Sequence, residues 1–281
     1  MADLFEAGGK RLRPALVLLS AMCGRYDLEK LIPAAMAVEL THAATLVHDD
    51  VIDRSALRRG RPTVAAKLGD EPAIVIGDFY FAKAYELAAR TGSARVVGIL
   101  ARAVMNICAG EIRQQSIRYV YSTDFDEYIQ RIADKTAKLI GASCEIGAVL
   151  GRVAERRQVA LVAYGQSLGV AFQIADDVLD YTGTENEVGK PLGHDIAEGF
   201  ATLPLILCSD VIGNLQDGRR LSEQEARDVA TVVRQSDGPR LALDHAKDFA
   251  HRAREQLTKL GECEVVGSLA SLADYVVSRK L

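Results

Sequence analysis

Apolar residues recur along most of the chain at three- and four-residue intervals, the spacing at which side chains share one face of an α-helix. Residues that favour helices fill these stretches, and only seven of the 281 residues are proline. No segment alternates apolar and polar residues as a half-buried strand does. The pattern predicts ten helices, at residues 11–23, 28–53, 71–91, 94–119, 125–151, 155–181, 197–212, 222–235, 240–260 and 265–279.

Helix starts carry their own signals. Asp70, Asp124 and Ser222 are predicted N-caps, because a short polar side chain there can accept a hydrogen bond from the first turn. Glu225 stands three residues after Ser222 and completes a Ser-x-x-Glu capping box.

The segments between helices mark no boundary between domains. The longest irregular segments, 54–69 and 182–196, are rich in glycine, proline and charge, and each begins after an acidic cluster. Loops in such places often act as lids. Because no linker or repeat interrupts the helical pattern, the sequence predicts one all-α domain over residues 1–281.

Composition and charge narrow the possible classes of protein. The formal net charge is −4, without a domain-scale basic excess, which argues against nucleic acid as a partner. The N-terminus has no apolar signal core, and charged residues interrupt the apolar runs. We therefore expect no transmembrane segment and a cytoplasmic location, which leaves room for peripheral contact with a membrane.

The cysteines indicate neither a disulfide framework nor a zinc site. They are odd in number, scattered and without C-x-x-C spacing, and they are Cys23, Cys108, Cys144, Cys208 and Cys263. This distribution fits a reducing compartment, and we expect each thiol to be a small buried apolar group.

An acidic cluster, Asp49-Asp50-Val51-Ile52-Asp53, ends the second predicted helix. Asp49 and Asp53 share a helix face, where their charges repel each other and the negative end of the helix dipole. Folding alone does not favour this arrangement. A hard cation such as Mg²⁺ relieves both repulsions, because it prefers carboxylate oxygens completed by water and phosphate.

The same pattern returns as Asp176-Asp177-Val178-Leu179-Asp180 at the end of another apolar helix. For one such cluster, a solvated acidic helix end and a metal site are about equally probable interpretations. Two such clusters after matching apolar helices seldom arise by chance, which favours the metal site. Two facing clusters could hold magnesium ions and a diphosphate, and could stabilise that diphosphate as a leaving group.

Basic residues adjoin both clusters and could bind the phosphates. Arginine grips a phosphate with two hydrogen bonds, whereas lysine acts as a point charge. Each alone is more often a surface residue, but attachment to the acidic motifs favours diphosphate binding. These residues are Arg58 and Arg59 after the first cluster, Lys10, Arg11 and Arg13 near the N-terminus, Lys135 beside Thr136, and Lys190 after the second cluster.

Several motifs together resemble those of the trans-polyprenyl diphosphate synthases. They occur in that family's order within residues 8–204, and they are GGKRLRP, THAATLVHDDVIDRSALRRGRPT, GDFYFAKA, DKTAKL, GVAFQIADDVLDYTG and GKPLGHD. The resemblance implies the isoprenoid synthase fold, an antiparallel helical bundle around a deep central cavity with the two clusters facing each other at its mouth. It also implies a homodimer, and one or two helices before the first motif that we expect this chain to lack.

Site residues follow from the matching motifs, as implications of the resemblance. The expected Mg²⁺ ligands are Asp49, Asp53 and Asp176, with Asp50, Asp177 and Asp180 in or near the same shell. The residues expected to bind the diphosphate of isopentenyl diphosphate are Lys10, Arg13, His42 and Arg59. Those expected to hold the allylic diphosphate with Mg²⁺ are Arg58, Lys135 and Lys190. Thr136 and Gln173 are expected beside the developing carbocation.

Other interpretations of some of these residues remain open. His42 precedes Asp49 by two turns on the same face, yet it could be a helix-face histidine satisfied by a neighbour. Thr136 and Gln173 could equally be buried polar groups bonded to the backbone. We interpret His48 as structural.

The implied reaction is ionisation, condensation and elimination, with electrostatic stabilisation as the main catalytic effect. In this family an aromatic residue just before the first cluster shortens the product. Thr41, Ala44 and Thr45 are small, so we expect a product longer than farnesyl. Its exact length stays open, because Phe79, Tyr80 or the region of Met105 could close the cavity deeper down.

Three alternatives accompany this interpretation. Phe200 stands in EGFAT where the family usually has lysine, which favours low activity or a non-catalytic subunit of a two-component synthase, although such subunits tend to lose cluster aspartates. A class I terpene cyclase shares the fold and first cluster but usually replaces the second with an Asn/Ser/Glu motif. An HD-type phosphohydrolase, suggested by His48-Asp49, would leave the second cluster unexplained.

Overall fold

The structure is a computed structural model that describes residues 11–58, 60–183 and 192–278. Helices make up nearly all of its regular structure, which confirms the all-α prediction. In chain order they are α1 (Leu12–Ala21), α2 (Leu28–Ile52), α3 (Val64–Leu68), α4 (Asp70–Arg90), α5 (Ala94–Ser116), α6 (Phe125–Ile132), α7 (Lys138–Leu150), α8 (Glu155–Thr182), α9 (His194–Ala197), α10 (Leu203–Ile206), α11 (Ser209–Ile212), α12 (Glu223–Gln235), α13 (Gly238–Leu257) and α14 (Val266–Val277).

The segment after the first aspartate cluster forms a small hairpin, although the sequence predicts it to be irregular. Strands β1 (Leu57–Arg58) and β2 (Arg61–Pro62) pair antiparallel, and Gly60 takes the positive φ of 72° that the tight turn requires. Thr63 then caps α3 with its side chain, which accepts a hydrogen bond from the helix backbone. The hairpin thereby fixes the position of Arg58, one of the predicted substrate-binding residues.

The predicted helix at 197–212 is wrong. The chain there makes the last residue of α9 and then two separate short helices, α10 and α11. Gly199 interrupts the helix with a positive φ of 90°, and Pro204 lies at the start of α10, where its missing amide is tolerated. These breaks come from backbone geometry that apolar periodicity does not report.

Two of the three predicted N-caps are confirmed. Asp124 accepts two backbone hydrogen bonds at the start of α6, at 2.9 and 3.1 Å, and Ser222 and Glu225 form the capping box of α12. The third is wrong, because Gly69 holds the N-cap position of α4. Asp70 is instead the first helical residue, where its charge favours the helix dipole.

Contacts within the chain define two compact units. The first comprises Met1–Met105, Leu139–Gly165 and Leu257–Gly267, and the second comprises Asn106–Lys138, Gln166–Gln256 and Ser268–Leu281. In the first unit α1 packs so closely on α7 that a Cβ at Gly147 would collide with the Val17 carbonyl. In the second unit α6, α8, α10 and α12 contribute to one apolar cluster. The single domain stays a prediction.

Helix α2, which carries the first aspartate cluster, is long and apolar enough to cross a membrane by length and composition. This corrects the expectation that charged residues interrupt every such run. Half of its apolar stretch is buried inside the protein, where Ala34, Val38, Ala44 and Val47 are fully enclosed. A helix buried on several sides needs an apolar surface on those sides, which accounts for its composition.

The cysteines differ in exposure, which corrects the expectation that all five are buried. Cys144 and Cys208 are buried, Cys23 and Cys263 are half-buried, and Cys108 is exposed. The Cys23 and Cys263 sulfurs lie 2.7 Å apart. A long-range pair of this kind is invisible in sequence spacing.

Candidate active site

The first aspartate cluster forms the C-terminal end of α2, in the first unit. Asp49 and Asp53 lie one turn apart on a shared helix face and are both half-buried, with Asp53 Oδ1 turned inward. Asp50 is only 2% exposed. Asp50 therefore occupies a different environment from Asp49 and Asp53.

Arg58 holds the buried Asp50 in place. Its Nε donates a hydrogen bond of 2.8 Å to Asp50 Oδ1, and the β1–β2 hairpin presents it. The Ser55 amide also donates to the Asp50 carbonyl at 2.9 Å, which ties the loop to the end of α2. An enclosed ion pair is screened weakly by water, so it orients the hairpin on the cluster. The role of Arg58 toward an allylic diphosphate stays a prediction.

Ala44, the residue expected to leave room for a long product, is fully buried against α4. It belongs to one apolar cluster with Val47, Ala73 and Tyr80. Tyr80 and Phe79 are the two aromatic residues that could close a cavity deeper down. Only Tyr80 belongs to this cluster, because Phe79 is 55% exposed.

The polar residues near Ala44 are accommodated within α2. The Thr41 and Thr45 hydroxyls donate to carbonyls of the preceding turn at 2.9 and 2.8 Å. Their hydroxyl hydrogens are therefore satisfied within the helix. His42 is half-buried on the same helix. His48 Nε2 lies 3.1 Å from the Ile74 carbonyl of α4, a packing contact that fits its structural interpretation.

The second cluster ends α8, in the second unit. Asp176 is half-buried, whereas Asp180 is buried and its Oδ2 accepts a hydrogen bond of 3.3 Å from the Asp195 amide. The Gly193 amide donates to the Asp180 carbonyl at 3.2 Å, which holds the start of α9 against the end of α8. As in the first cluster, the leading aspartate keeps access to solvent while a neighbour is enclosed.

Asp177 is the centre of a buried hydrogen-bond network. Tyr128 donates its hydroxyl to Asp177 Oδ2 at 2.7 Å, and Gln173 Nε2 donates to Asp177 Oδ1 at 2.8 Å. Gln173 Oε1 in turn accepts from the Thr136 hydroxyl at 2.8 Å. Thr136 and Gln173 are therefore bonded side chain to side chain, and their interpretation as polar groups bonded to the backbone is wrong.

The enclosure of Asp177 changes its protonation. Burial and the nearby charge of Asp195 raise the pKa of Asp177 to about 7, against the opposing hydrogen bonds from Tyr128 and Gln173. Burial and the charge of Asp177 also raise the pKa of Tyr128 well above its usual value. The Tyr128 phenol therefore stays protonated and remains a hydrogen-bond donor.

Lys135 and Thr136 lie in a π-helical turn, Ala133–Ala137, between α6 and α7. Turns of this kind are frequent at functional sites. Gly110 lets α5 approach the turn, because a Cβ there would lie 3.2 Å from the Lys135 amide nitrogen. Lys135 Nζ forms an ion pair with Glu111 of α5 at 2.7 Å, which fixes its positive charge beside Thr136.

Phe200, which stands where the family usually has lysine, packs against an arginine. The Arg118 guanidinium lies 5.5 Å from the centre of the Phe200 ring, and its Nε donates to the Glu198 carbonyl at 2.7 Å. An ion pair between Arg118 and the Glu198 carboxylate completes the contact. A positive charge is therefore present beside Phe200, but a carboxylate neutralises it.

The remaining basic residues are only partly described. Three of the predicted phosphate-binding residues lie outside the described part of the chain, and they are Lys10, Arg59 and Lys190. Arg13 lies half-buried on α1. Arg11 forms an ion pair with Glu39 of α2, which holds the basic start of α1 against the helix that carries the first cluster.

The carboxylates of the two clusters are the candidate metal ligands of this site. Within residues 11–58, 60–183 and 192–278, no three His, Cys, Asp or Glu side chains gather closely enough to hold a metal ion by themselves. Mg²⁺ usually binds proteins through one or two carboxylates and completes its shell with water and substrate phosphates. Half-buried Asp49, Asp53 and Asp176 fit that donor chemistry, and their role as ligands stays a prediction.

Sequence reasoning missed several residues that complete these sites. Asp195 is the last residue of the GKPLGHD motif, and an acidic side chain in that motif could have marked it as a site residue. Tyr128 lies 49 residues from Asp177 in the sequence, and neither Glu111 nor Arg118 belongs to a motif. Only the fold brings these three residues to their partners.

Comparison with known proteins gives the family. The chain matches the Polyprenyl synthetase family over residues 1–233. Heptaprenyl diphosphate synthase component 2 of Geobacillus stearothermophilus is 39% identical over 98% of this chain and 88% of the relative. Octaprenyl diphosphate synthase of Haemophilus influenzae is 34% identical over 98% of this chain and 86% of the relative. The chain therefore belongs to the polyprenyl synthetase family, as its motifs predict.

Solved structures agree with this assignment. Polyprenyl synthase from Caulobacter crescentus, complexed with calcium and isoprenyl diphosphate, has a TM-score of 0.92 at 38% identity, over 98% of this chain and 87% of that one. Heptaprenyl diphosphate synthase from Staphylococcus aureus has a TM-score of 0.94 at 34% identity, over 100% and 90%. The isoprenoid synthase fold is thereby confirmed, and the terpene cyclase and HD-type phosphohydrolase alternatives have no support.

Proposed function

We propose that this protein is a Mg²⁺-dependent polyprenyl diphosphate synthase, which condenses isopentenyl diphosphate head-to-tail with an allylic diphosphate into a trans product longer than farnesyl. The shared organisation of the two clusters carries the proposal. In each cluster the aspartate after the first is enclosed and hydrogen-bonded by the protein, Asp50 by Arg58 and Asp177 by Tyr128. Such contacts fix the end of the helix and therefore the direction of its other carboxylates.

Magnesium would be held by Asp49, Asp53 and Asp176, which present carboxylate oxygens at half-buried positions. When bound, the metal supplies Lewis-acid stabilisation of the departing diphosphate. Asp50 and Asp177 act as positioning residues, because their oxygens already accept hydrogen bonds from the protein. Asp180 supports the same arrangement through its bond to the start of α9.

The basic residues would bind the two diphosphates. Arg58, Lys135 and Lys190 would neutralise the allylic diphosphate as its bond to carbon breaks. Arg58 and Lys135 are each paired with a carboxylate, so substrate oxygens would share or replace those pairs. The residues that would bind isopentenyl diphosphate are Lys10, Arg13, His42 and Arg59.

The carbocation would form beside Thr136 and Gln173. The Thr136 hydroxyl donates its hydrogen to Gln173, so its oxygen lone pairs are free to stabilise positive charge. The double bond of isopentenyl diphosphate attacks the carbocation and forms the new carbon–carbon bond. A proton then leaves the added unit for the departed diphosphate, which restores a double bond.

The product would extend along α2 past Thr41, Ala44 and Thr45, whose side chains are small. Relatives of the chain are named for heptaprenyl, octaprenyl, decaprenyl and geranylgeranyl products, which agrees with a product longer than farnesyl. Tyr80 belongs to the same apolar cluster as Ala44 and would limit the length of the product.

The direct test incubates the purified protein with Mg²⁺, labelled isopentenyl diphosphate and geranyl, farnesyl or geranylgeranyl diphosphate. We expect incorporation of label into products longer than farnesyl, and none when EDTA removes the metal. Release of free diphosphate with a cyclised hydrocarbon, or no reaction with any primer, would contradict the proposal.

A second candidate is a subunit of a heteromeric, two-component synthase that has low activity alone. The Geobacillus stearothermophilus and Bacillus subtilis relatives are each named component 2 of a heptaprenyl diphosphate synthase. Phe200, in place of a cation, is compatible with low activity in isolation. Activity that appears only when a second polypeptide is added would favour this candidate.

We also infer a homodimer in the cytoplasm that touches a membrane surface when it releases product. Exposed apolar side chains support a protein contact on two helices, with Val75 and Phe79 on α4, and Met105 and Ile112 on α5. Light scattering of the purified protein tests the dimer, and a monomer at micromolar concentration would contradict it.

A further inference from the structure

Two cysteines from opposite ends of the chain meet within the first unit. Cys23 lies in the turn after α1, and Cys263 lies between a 3₁₀ turn, Thr258–Leu260, and α14. Their sulfur atoms are 2.7 Å apart although 240 positions separate the residues in sequence. Both side chains are half-buried, and neither belongs to an aspartate cluster or to the proposed reaction.

The geometry points to a dithiol–disulfide site: we propose that Cys23 and Cys263 join in an intramolecular disulfide when the protein meets a small-molecule disulfide. Bonded sulfur atoms lie about 2.05 Å apart, so the pair has to close by only about 0.7 Å. The backbone at both positions is fixed locally, because the Cys23 amide bonds to the Ser20 carbonyl at 3.3 Å and the Cys263 carbonyl accepts from the Val266 amide at 3.1 Å.

The exchange is balanced without any cofactor. One protein thiol loses its proton and attacks a sulfur of the small disulfide, whose S–S bond breaks and releases one reduced thiol. The second protein thiol then attacks the mixed disulfide, forms the Cys23–Cys263 bond and releases the second reduced thiol. The protein loses two electrons and two protons, and the two released thiols carry both.

The other three cysteines differ in their access to a reagent. Cys144 and Cys208 are buried, whereas Cys108 is exposed and would form its own adduct. Burial, together with the contact to Cys263, raises the pKa of Cys23 to about 12, so the Cys23 thiol is seldom ionised at neutral pH. We expect the pair to stay reduced in a reducing compartment and to close under sustained oxidation.

The bond would join the end of α1 to the segment before α14. Because the closed loop spans 240 residues, cross-linking removes much of the conformational freedom of the unfolded chain. We expect a rise in Tm of about 5–10 °C, reversed by dithiothreitol. This inference does not depend on the proposed function.

The test uses a Cys108→Ser variant, which removes the exposed thiol, treated with dithiobis(nitrobenzoate) in a mildly alkaline buffer. We expect release of two chromophore equivalents per chain, no retained adduct, and a Cys23–Cys263 linked peptide after digestion without reductant. The matched Cys108→Ser/Cys263→Ser variant should retain one adduct and show no rise in Tm.

Two results would overturn the inference. One is that Cys23 and Cys263 each keep a separate adduct, since adjacent thiols of a closing pair displace it. The other is that both remain open to alkylation after prolonged oxidation while circular dichroism shows a folded protein. Because serine replaces cysteine nearly isosterically, the variants should fold, and their dichroism confirms it.

Discussion

Replacing Tyr128 by phenylalanine tests how firmly the protein holds Asp177. The substitution removes one hydroxyl from a fully buried side chain, so it keeps the ring packing and deletes the 2.7 Å hydrogen bond to Asp177 Oδ2. A hydrogen bond to a charged group contributes about 1.5–3 kcal/mol to the free energy of unfolding. In a protein of this size the loss lowers Tm by about 3–9 °C, at roughly 2–3 °C per kcal/mol.

Tyr181→Phe is the matched control. Tyr181 is also fully buried, and its hydroxyl shares a hydrogen bond of 2.8 Å with the Thr202 hydroxyl, a neutral partner. The same substitution there should lower the free energy of unfolding by only about 0.5–1.5 kcal/mol. Urea unfolding followed by circular dichroism at about pH 8 in EDTA compares the two variants. Equal losses, or a smaller loss at Tyr128, would refute the reasoning.

The loss at Tyr128 should also depend on pH. The folded-state pKa of Asp177, about 7, lies above its value in the unfolded chain, so ionisation of this group lowers the free energy of unfolding as the pH rises toward 7. The Tyr128 bond favours the carboxylate, and removing it raises that pKa further. The deficit of Tyr128→Phe should therefore be smaller at about pH 6 than at about pH 8. A deficit that does not change with pH would show that Asp177 does not titrate as described.

Substitutions at three other positions test the product tunnel, the hairpin and the replaced lysine. Ala44→Phe should shorten the labelled product on thin-layer chromatography, because the ring fills the space along α2; an unchanged distribution would exclude this tunnel. Arg58→Ala should lower the free energy of unfolding in urea by about 3 kcal/mol, because it removes the guanidinium partner of Asp50, which is 2% exposed. Arg95→Ala, which removes an exposed arginine, is its control, and equal effects would contradict the reasoning. Phe200→Lys should lower the KM for the allylic diphosphate, and it should also lower Tm because it places a second cation beside Arg118. Phe200→Leu, the control, should leave KM unchanged. An unchanged KM in Phe200→Lys would show that this position does not contact the substrate.

The long helices could be predicted because each buries a continuous apolar face. The predicted helices at 28–53 and 155–181 are observed as Leu28–Ile52 and Glu155–Thr182. Errors arise where backbone geometry or distant contacts decide the structure. Gly199 breaks the predicted helix at 197–212, and the π-helical turn Ala133–Ala137 sits where α5 approaches closely through Gly110.

The candidate site could be predicted only in part, for a similar reason. The two aspartate clusters are local patterns, so sequence spacing reveals them. What distinguishes one aspartate from the next is the partner that encloses it, such as Arg58 for Asp50 or Tyr128 for Asp177. These partners come from other elements of the fold, and nothing in the sequence links Arg118 to Phe200 before the chain folds.

The most direct test of the account measures isopentenyl incorporation by Asp49→Asn and Asp176→Asn with Mg²⁺ and a suitable allylic primer. Both changes keep the size of the side chain and remove one negative charge from a predicted metal ligand. Each should lower the rate about a hundredfold or more, while Asp228→Asn on the exposed face of α12 should leave it unchanged. Near-normal turnover in either cluster variant would contradict the claim that the two aspartate clusters carry the reaction.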